Sequence, residues 1–167
     1  MSDTLFALLR DRGIPYGRCD HPPVFTTAEA ERLVPPLPGA KAKNLFLRAA
    51  PSGRRLLVVV PYAKRVDLGR LAEALGARKL AFASAEELLA CLGITPGAVS
   101  LLALVHDAAQ GVDVVIDEAL WRADGLQCHP LVNTSTLSLS ADGVRRFLAA
   151  TGHVPRVLDV PTRPAPA

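Results

Sequence analysis

The run Leu56-Leu57-Val58-Val59-Val60, set between Arg54-Arg55 and Pro61, constrains the fold of this chain more than any other segment. Successive strand residues point to opposite faces, so a strand that is apolar on both must be covered on both. Such a strand belongs in the middle of a sheet. Lys43 to Ala49 reads as its hairpin partner, with the turn at Pro51-Ser52-Gly53.

Start and stop signals predict helices around this pair. Leu5, Phe6, Leu8 and Leu9 fit a first helix closed by Gly13, and Tyr16 to Cys19 a short strand. Thr26 with Glu29 forms a capping box for a helix through Leu33, which Pro35-Pro36 ends. Asp67 starts another, stopped by Gly76; Ser84 with Glu87 starts a third, stopped by Gly93; Thr95-Pro96-Gly97 is a turn. Two apolar runs follow, Leu101 to Val105, ending as a strand at His106-Asp107, and Val112 to Ile116. A helix from about Ala141 to Ala150 stands behind Ser140, Gly152 closes it, and Val154 to Val160 reads as a last strand. Irregular alternation with hairpins predicts an α/β (mixed α+β) protein, a mixed sheet flanked by helices rather than a doubly wound one. Internal repeats, a GxGxxG turn and a Walker loop are absent from the sequence.

The length, 167 residues, predicts one domain over 1–160, with 161–167 as a flexible Pro/Ala tail. An aromatic share of 5% argues against wide stacking platforms for single-stranded nucleic acid. Net charge of +3 is mild basicity, which by itself reads as a soluble surface with some arginine bias. Cys19, Cys91 and Cys128 are isolated thiols without CxxC or zinc spacing, so a reducing, cytoplasmic location is expected. There is neither a membrane-length apolar run nor a signal pattern at the N-terminus.

Chemistry concentrates in the stretch from Gly125 to Thr136, which places His129 before Pro130 with Asn133 close by. The proline holds His129 on an extended or turn backbone. Beyond it Thr134, Thr136 and Ser138 alternate with Ser135, Leu137 and Leu139, as in a strand with one polar face. A second candidate is Lys43, beside Asn44, after the rigid Pro35 to Gly39 loop. A lysine at a strand start is ordinarily a solvated edge charge; the functional alternative is a point contact to phosphate or carboxylate. His129 is either a half-buried bonded histidine or a working one. His21, before Pro22-Pro23, reads as shaping a loop, and His153 as following a helix stop. Four histidines without ligand spacing predict no metal site, and no cofactor is expected. A triad from Ser135, His129 and Asp107 lacks a nucleophile elbow. Cys128 and His129, as adjacent strand residues, should point apart and make a poor nucleophile–base pair.

The order of His21-Pro22-Pro23-Val24-Phe25-Thr26, Lys43-Asn44-Leu45-Phe46-Leu47, Arg65-Val66-Asp67-Leu68, Thr95-Pro96-Gly97-Ala98-Val99-Ser100, His129-Pro130-Leu131-Val132-Asn133 and Thr151-Gly152-His153 resembles the free-standing prolyl-tRNA editing proteins. These are alanyl-tRNA(Pro) deacylases of the YbaK/ProRS-associated-domain superfamily. The resemblance implies a curved mixed sheet or partial barrel with surrounding helices. It also implies hydrolysis of the ester joining alanine to proline tRNA, a mistake that binding alone cannot strongly reject. It implies that Lys43 and Asn44 orient the 3′-terminal nucleotide or the ester, and that His129 helps place the water. Phe25, Thr26, Phe46, Cys128, Pro130 and Asn133 are implied as substrate-binding neighbours, with the core as the alternative place for Phe46. The implied partners are the acceptor end of proline tRNA and the prolyl-tRNA synthetase; separately, a monomer with no membrane involvement is expected. The pairs Arg54-Arg55, Lys64-Arg65, Arg78-Lys79 and Arg145-Arg146 suit an acceptor stem in this light.

Two departures bear on specificity: Gln127-Cys128 stands where members often have Asn-Phe, and Leu101 where they often have proline. A thiol in place of a large ring widens or loosens a pocket. The alternatives are therefore a deacylase for serine, cysteine or 2-aminobutyrate, and a non-catalytic tRNA- or synthetase-binding module of the same fold.

Overall fold

The computed structural model describes residues 2–164. Its elements run α1 (Ser2–Asp11), β1 (Gly17–Asp20), α2 (Thr27–Leu33), β2 (Ala42–Ala50), β3 (Arg55–Pro61), α3 (Leu68–Leu75), β4 (Lys79–Phe82), α4 (Ala85–Leu92), β5 (Val112–Asp117), α5 (Glu118–Trp121), β6 (Gly125–Cys128), β7 (Ser135–Ser140), α6 (Ala141–Thr151) and β8 (Arg156–Leu158).

β3 is the centre of a five-stranded sheet ordered β4-β2-β3-β5-β8, antiparallel on the β2 side and parallel on the β5 side. Its pleat explains the all-apolar run. Leu57 and Val59 enter the larger core with α1, α4, α6 and residues 101–104, whereas Leu56, Val58 and Val60 enter the smaller core under α3. A second sheet, β1-β7-β6, is antiparallel throughout. The two sheets are stitched at Ala40, whose N–H donates to the Gly125 carbonyl at 2.8 Å and whose carbonyl accepts from Gln127 N–H at 3.0 Å. That seam brings the start of β2 against the end of β6.

Local signals gave the helix starts correctly. Thr26, Asp67, Ser84 and Ser140 each accept a backbone N–H in the first turn, and Ser84 with Glu87 makes the full reciprocal box. Glu29 departs from that pattern by accepting from Phe25 N–H rather than from the cap.

Three readings are corrected. Leu101–His106 is a 3₁₀ helix, not a strand: Leu101 to Leu104 are all buried, and a uniformly apolar run carries no periodicity to separate the two. The last strand is confined to Arg156–Leu158, with Val154 91% exposed. The chain also does not trail off from 161. Asp67 N–H donates to the Pro161 carbonyl, Thr162 bridges Val66, and Arg163 N–H donates to the Arg65 carbonyl. Residues 165–167 of the expected tail lie outside the described residues. No described helix is long and apolar enough to cross a membrane.

Candidate active site at the seam between the sheets

Two adjoining depressions open beside the Ala40 seam, a larger one of about 240 Å³ and a smaller one of about 70 Å³. They share a wall of Ala30, Ala42, Asn44, Tyr62 and His129. Phe25, Thr26, Lys43 and Gly97 complete the larger chamber; Cys128, Gln127 and Thr136 complete the smaller. β2 thus delivers Lys43 and Asn44, and the end of β6 delivers Cys128 and His129, to one place.

His129 donates Nδ1–H to the Ser135 carbonyl at 3.2 Å, because a carbonyl can only accept. In the neutral ring Nε2 is then a bare acceptor. Burial pushes the imidazole below its ordinary pKa; the Ser135 bond opposes this and His21 adds to it. The turn that follows is strained: Leu131, a non-glycine residue, has φ +69° and is buried in the core. That anchor fixes where His129 points.

Lys43 is half-buried, and desolvation, helped by nearby Arg65, lowers its ammonium below the ordinary lysine value. Among the described residues no carboxylate pairs with it. On β2 the pleat puts Ala42, Asn44 and Phe46 on one face; Asn44 Oδ1 is buried with no hydrogen-bond partner, a polar atom left unspent at the chamber wall.

The remaining expected site residues divide. Phe25 is 73% exposed at the larger chamber, its ring beside Gly97, where an added Cβ would meet the ring at 3.8 Å. Thr26 lines the same chamber, but its hydroxyl is spent capping α2. Phe46 does not reach either chamber: two residues beyond Asn44 on the same face, it is already under the larger core. Asn133 lines neither; its side chain donates to the Val24 carbonyl at 3.5 Å and steadies the Phe25 loop. Pro130 is buried behind His129 and lines neither.

The alternative nucleophiles fail on geometry. Ser135 donates its hydroxyl to the Cys19 carbonyl, and Asp107 is bound to His153 Nε2 at 2.9 Å and to the N–H groups of Gly111 and Val112. Burial pushes the Cys128 thiol up to about 12, so it stays protonated and inert. Cys128 and His129 nevertheless both reach the smaller chamber, contrary to the strand-alternation argument, because β6 ends at Cys128 and His129 is already in the turn.

Most paired cations are committed internally. Arg54 binds Asp113, Arg55 and Arg48 share Glu87, Lys64 binds Asp117 and Asp159, Arg145 stacks over Trp121, and Arg146 caps the carbonyls of Arg12 and Gly13. Exposed Lys41 and Arg65 flank the chambers instead. Sequence reasoning missed Tyr62 and Thr136. Only the alternation along β7 hinted at Thr136, and nothing hinted at Tyr62.

The aminoacyl-tRNA editing domain matches residues 21–147. The chain is 32% identical over 156 residues to the prolyl-tRNA editing protein ProX of Acetoanaerobium sticklandii, covering 93% of this chain and 95% of that protein. It is 36% identical over 141 residues to prolyl-tRNA synthetase associated domain-containing protein 1 of Danio rerio, covering 83% and 76% respectively. Among solved structures, the hypothetical protein APE2540 shares the fold with a TM-score of 0.73 at 24% identity, over 94% of this chain and 98% of the other. A candidate trans-editing enzyme for prolyl-tRNA synthetase does so at 0.70 and 22% identity, over 95% of each chain. By sequence and by fold, the chain belongs to the aminoacyl-tRNA editing domain family.

Proposed function

We propose that the chain is a trans-editing deacylase that hydrolyses the ester of alanine mischarged onto proline tRNA. The observation that carries this reading is a pair of unequal adjoining chambers, both lined by Asn44 and His129, with Lys43 beside them in the larger. The smaller, about 70 Å³, has room for a few heavy atoms and suits a small aminoacyl group. The larger suits the terminal nucleoside, with the exposed Phe25 ring as a stacking surface for its base.

An aminoacyl ester is already activated, so the site needs orientation and charge stabilisation more than a strong nucleophile. Water held at the bare Nε2 of His129 attacks the ester carbon. The carbonyl oxygen takes up negative charge, which the Lys43 ammonium and an N–H of the Asn44 side-chain amide stabilise. His129 Nε2 takes the proton that the water gives up and passes it to the departing tRNA hydroxyl oxygen, releasing the free amino acid. Rejection of proline follows from chamber size, where each missing or added methylene carries modest discrimination.

One observation favours a second reading, removal of serine or cysteine: the smaller chamber is walled by a thiol and a hydroxyl, Cys128 and Thr136. A non-catalytic module is disfavoured, since a binder has no need of an uncommitted histidine nitrogen and an unspent amide oxygen at one wall. Purified protein incubated with proline tRNA charged with alanine, serine, cysteine or proline separates these. Fastest ester loss from the alanyl form supports the first reading; tight tRNA binding with no loss from any form sinks the enzyme reading.

A further inference from the structure

His21 carries no role in the chemistry above, yet it is 8% exposed and both its ring nitrogens are engaged. Its backbone continues the β1–β7 ladder, donating N–H to the Thr134 carbonyl at 2.9 Å, one step beyond the Asp20–Ser135 pair. That register turns the ring towards Thr136, the chamber residue two positions along β7. Nδ1 lies 2.9 Å from the Pro22 carbonyl, and Nε2 lies 2.8 Å from Thr136 Oγ1.

The chemistry of the partners fixes the protons. A carbonyl only accepts, so Nδ1 carries the hydrogen, and in the neutral ring Nε2 can only accept. The Thr136 hydroxyl must therefore donate to His21. With its one hydrogen committed, Oγ1 offers only lone pairs to the smaller chamber. His129 is held in the same tautomer by the Ser135 carbonyl, so the two groups present matching acceptors on adjoining walls.

We propose that His21 is a positioning residue: through the Thr136 hydroxyl it fixes an acceptor at the chamber wall that orients the donor groups of water or substrate opposite His129. This rests on the deacylase reading. Without the imidazole, Thr136 is free to turn its hydrogen into the chamber, and the same wall offers a donor where an acceptor is needed.

The test is steady-state deacylation of proline tRNA charged with alanine by wild type, His21→Leu, His21→Gln, Thr136→Val and the His21→Leu/Thr136→Val double variant, with thermal melts alongside. His21→Leu and Thr136→Val should each lower kcat by roughly tenfold to a hundredfold, with KM for the charged tRNA within about twofold. Gln keeps an acceptor within reach of Thr136 and should restore most of the rate. The double variant should be no slower than the slower single, because the two act through one hydroxyl. Should His21→Leu fail to fold, Thr136→Val and His21→Gln carry the test. Full rates in the single variants, or losses that multiply in the double, overturn the positioning role. An inactive wild type overturns the deacylase reading itself, and an active wild type with unaffected variants overturns only the role of His21.

Discussion

Lys43 and Lys64 stand at the same end of the β2–β3 pair and have opposite fates. Lys43 is opposite Val60 in the ladder; Lys64 follows three residues after the end of β3. Lys64 is 15% exposed and donates to Asp117 at 2.6 Å, Asp159 at 3.0 Å and the Val160 carbonyl at 2.8 Å. Burial alone would lower its ammonium, but the two carboxylates outweigh burial and hold it above the ordinary lysine value. Lys43 meets burial without a carboxylate and is shifted down. A satisfied charge holds the fold together. An unsatisfied one is available to a ligand, and Lys43 lines the larger chamber.

The largest effect that would break this comparison is on stability. Lys64→Met takes the ammonium from Asp117, which is 1% exposed and is left with only the Ala119 and Val160 N–H donors. It should cost about 3 kcal/mol in denaturant unfolding, as for other broken buried pairs. Lys43→Met should cost less than about 1 kcal/mol in the same measurement, since no paired charge is abandoned. Equal losses would erase the distinction. Next, His129→Ala should slow deacylation about a hundredfold while leaving the melting temperature nearly unchanged, the magnitude expected for one oriented catalytic group.

Alkaline pH should separate the two lysines. Lys43 has a lowered pKa, so its charge, and the hydrolysis that needs it, should fade at a lower pH than an ordinary lysine would. The folded pKa of Lys64 lies above its unfolded value, so its stabilisation is complete below the unfolded pKa and is lost as pH rises through the folded one. Activity should therefore fail before the fold. In acid, hydrolysis should persist below the usual histidine range, because His129 resists protonation. Rate and circular dichroism followed across one titration check all three.

Smaller effects sharpen the site. Cys128→Ala should enlarge the smaller chamber and raise hydrolysis of the 2-aminobutyryl ester relative to the alanyl ester several-fold, about the worth of one methylene. Arg65→Ala should weaken tRNA binding and reduce the salt slope by roughly 1, as for one phosphate contact.

What the sequence made legible was local or concentrated. Capping side chains and αL glycines announce themselves within a turn, so Thr26, Asp67, Ser84, Ser140, Gly76, Gly93 and Gly152 marked helix ends correctly. The central place of β3 was legible because its apolar pattern leaves no exposed face. β4 and β6 were not: four residues each, they are strands only by virtue of partners distant in sequence. Lys43, Asn44 and His129 stood out as candidates from their local sequence context, the resemblance supplied their expected roles, and the fold brings them to adjoining chambers. Thr136 and His21 acquire their meaning only from the β1–β7 register, which places a histidine after β1 against a hydroxyl more than a hundred residues away. Phe46 takes the core rather than the chamber because the motif marks only a neighbourhood, and the pleat decides which of its residues face which way.

The most direct measurement compares Lys43→Ala and Lys64→Ala with wild type for ester loss from proline tRNA charged with alanine, normalised to folded protein. The account predicts a rate lower by about a hundredfold or more for Lys43→Ala, the scale of a lost charge-stabilising contact, and a near-wild-type rate per folded molecule for Lys64→Ala. Full hydrolysis by Lys43→Ala would contradict it.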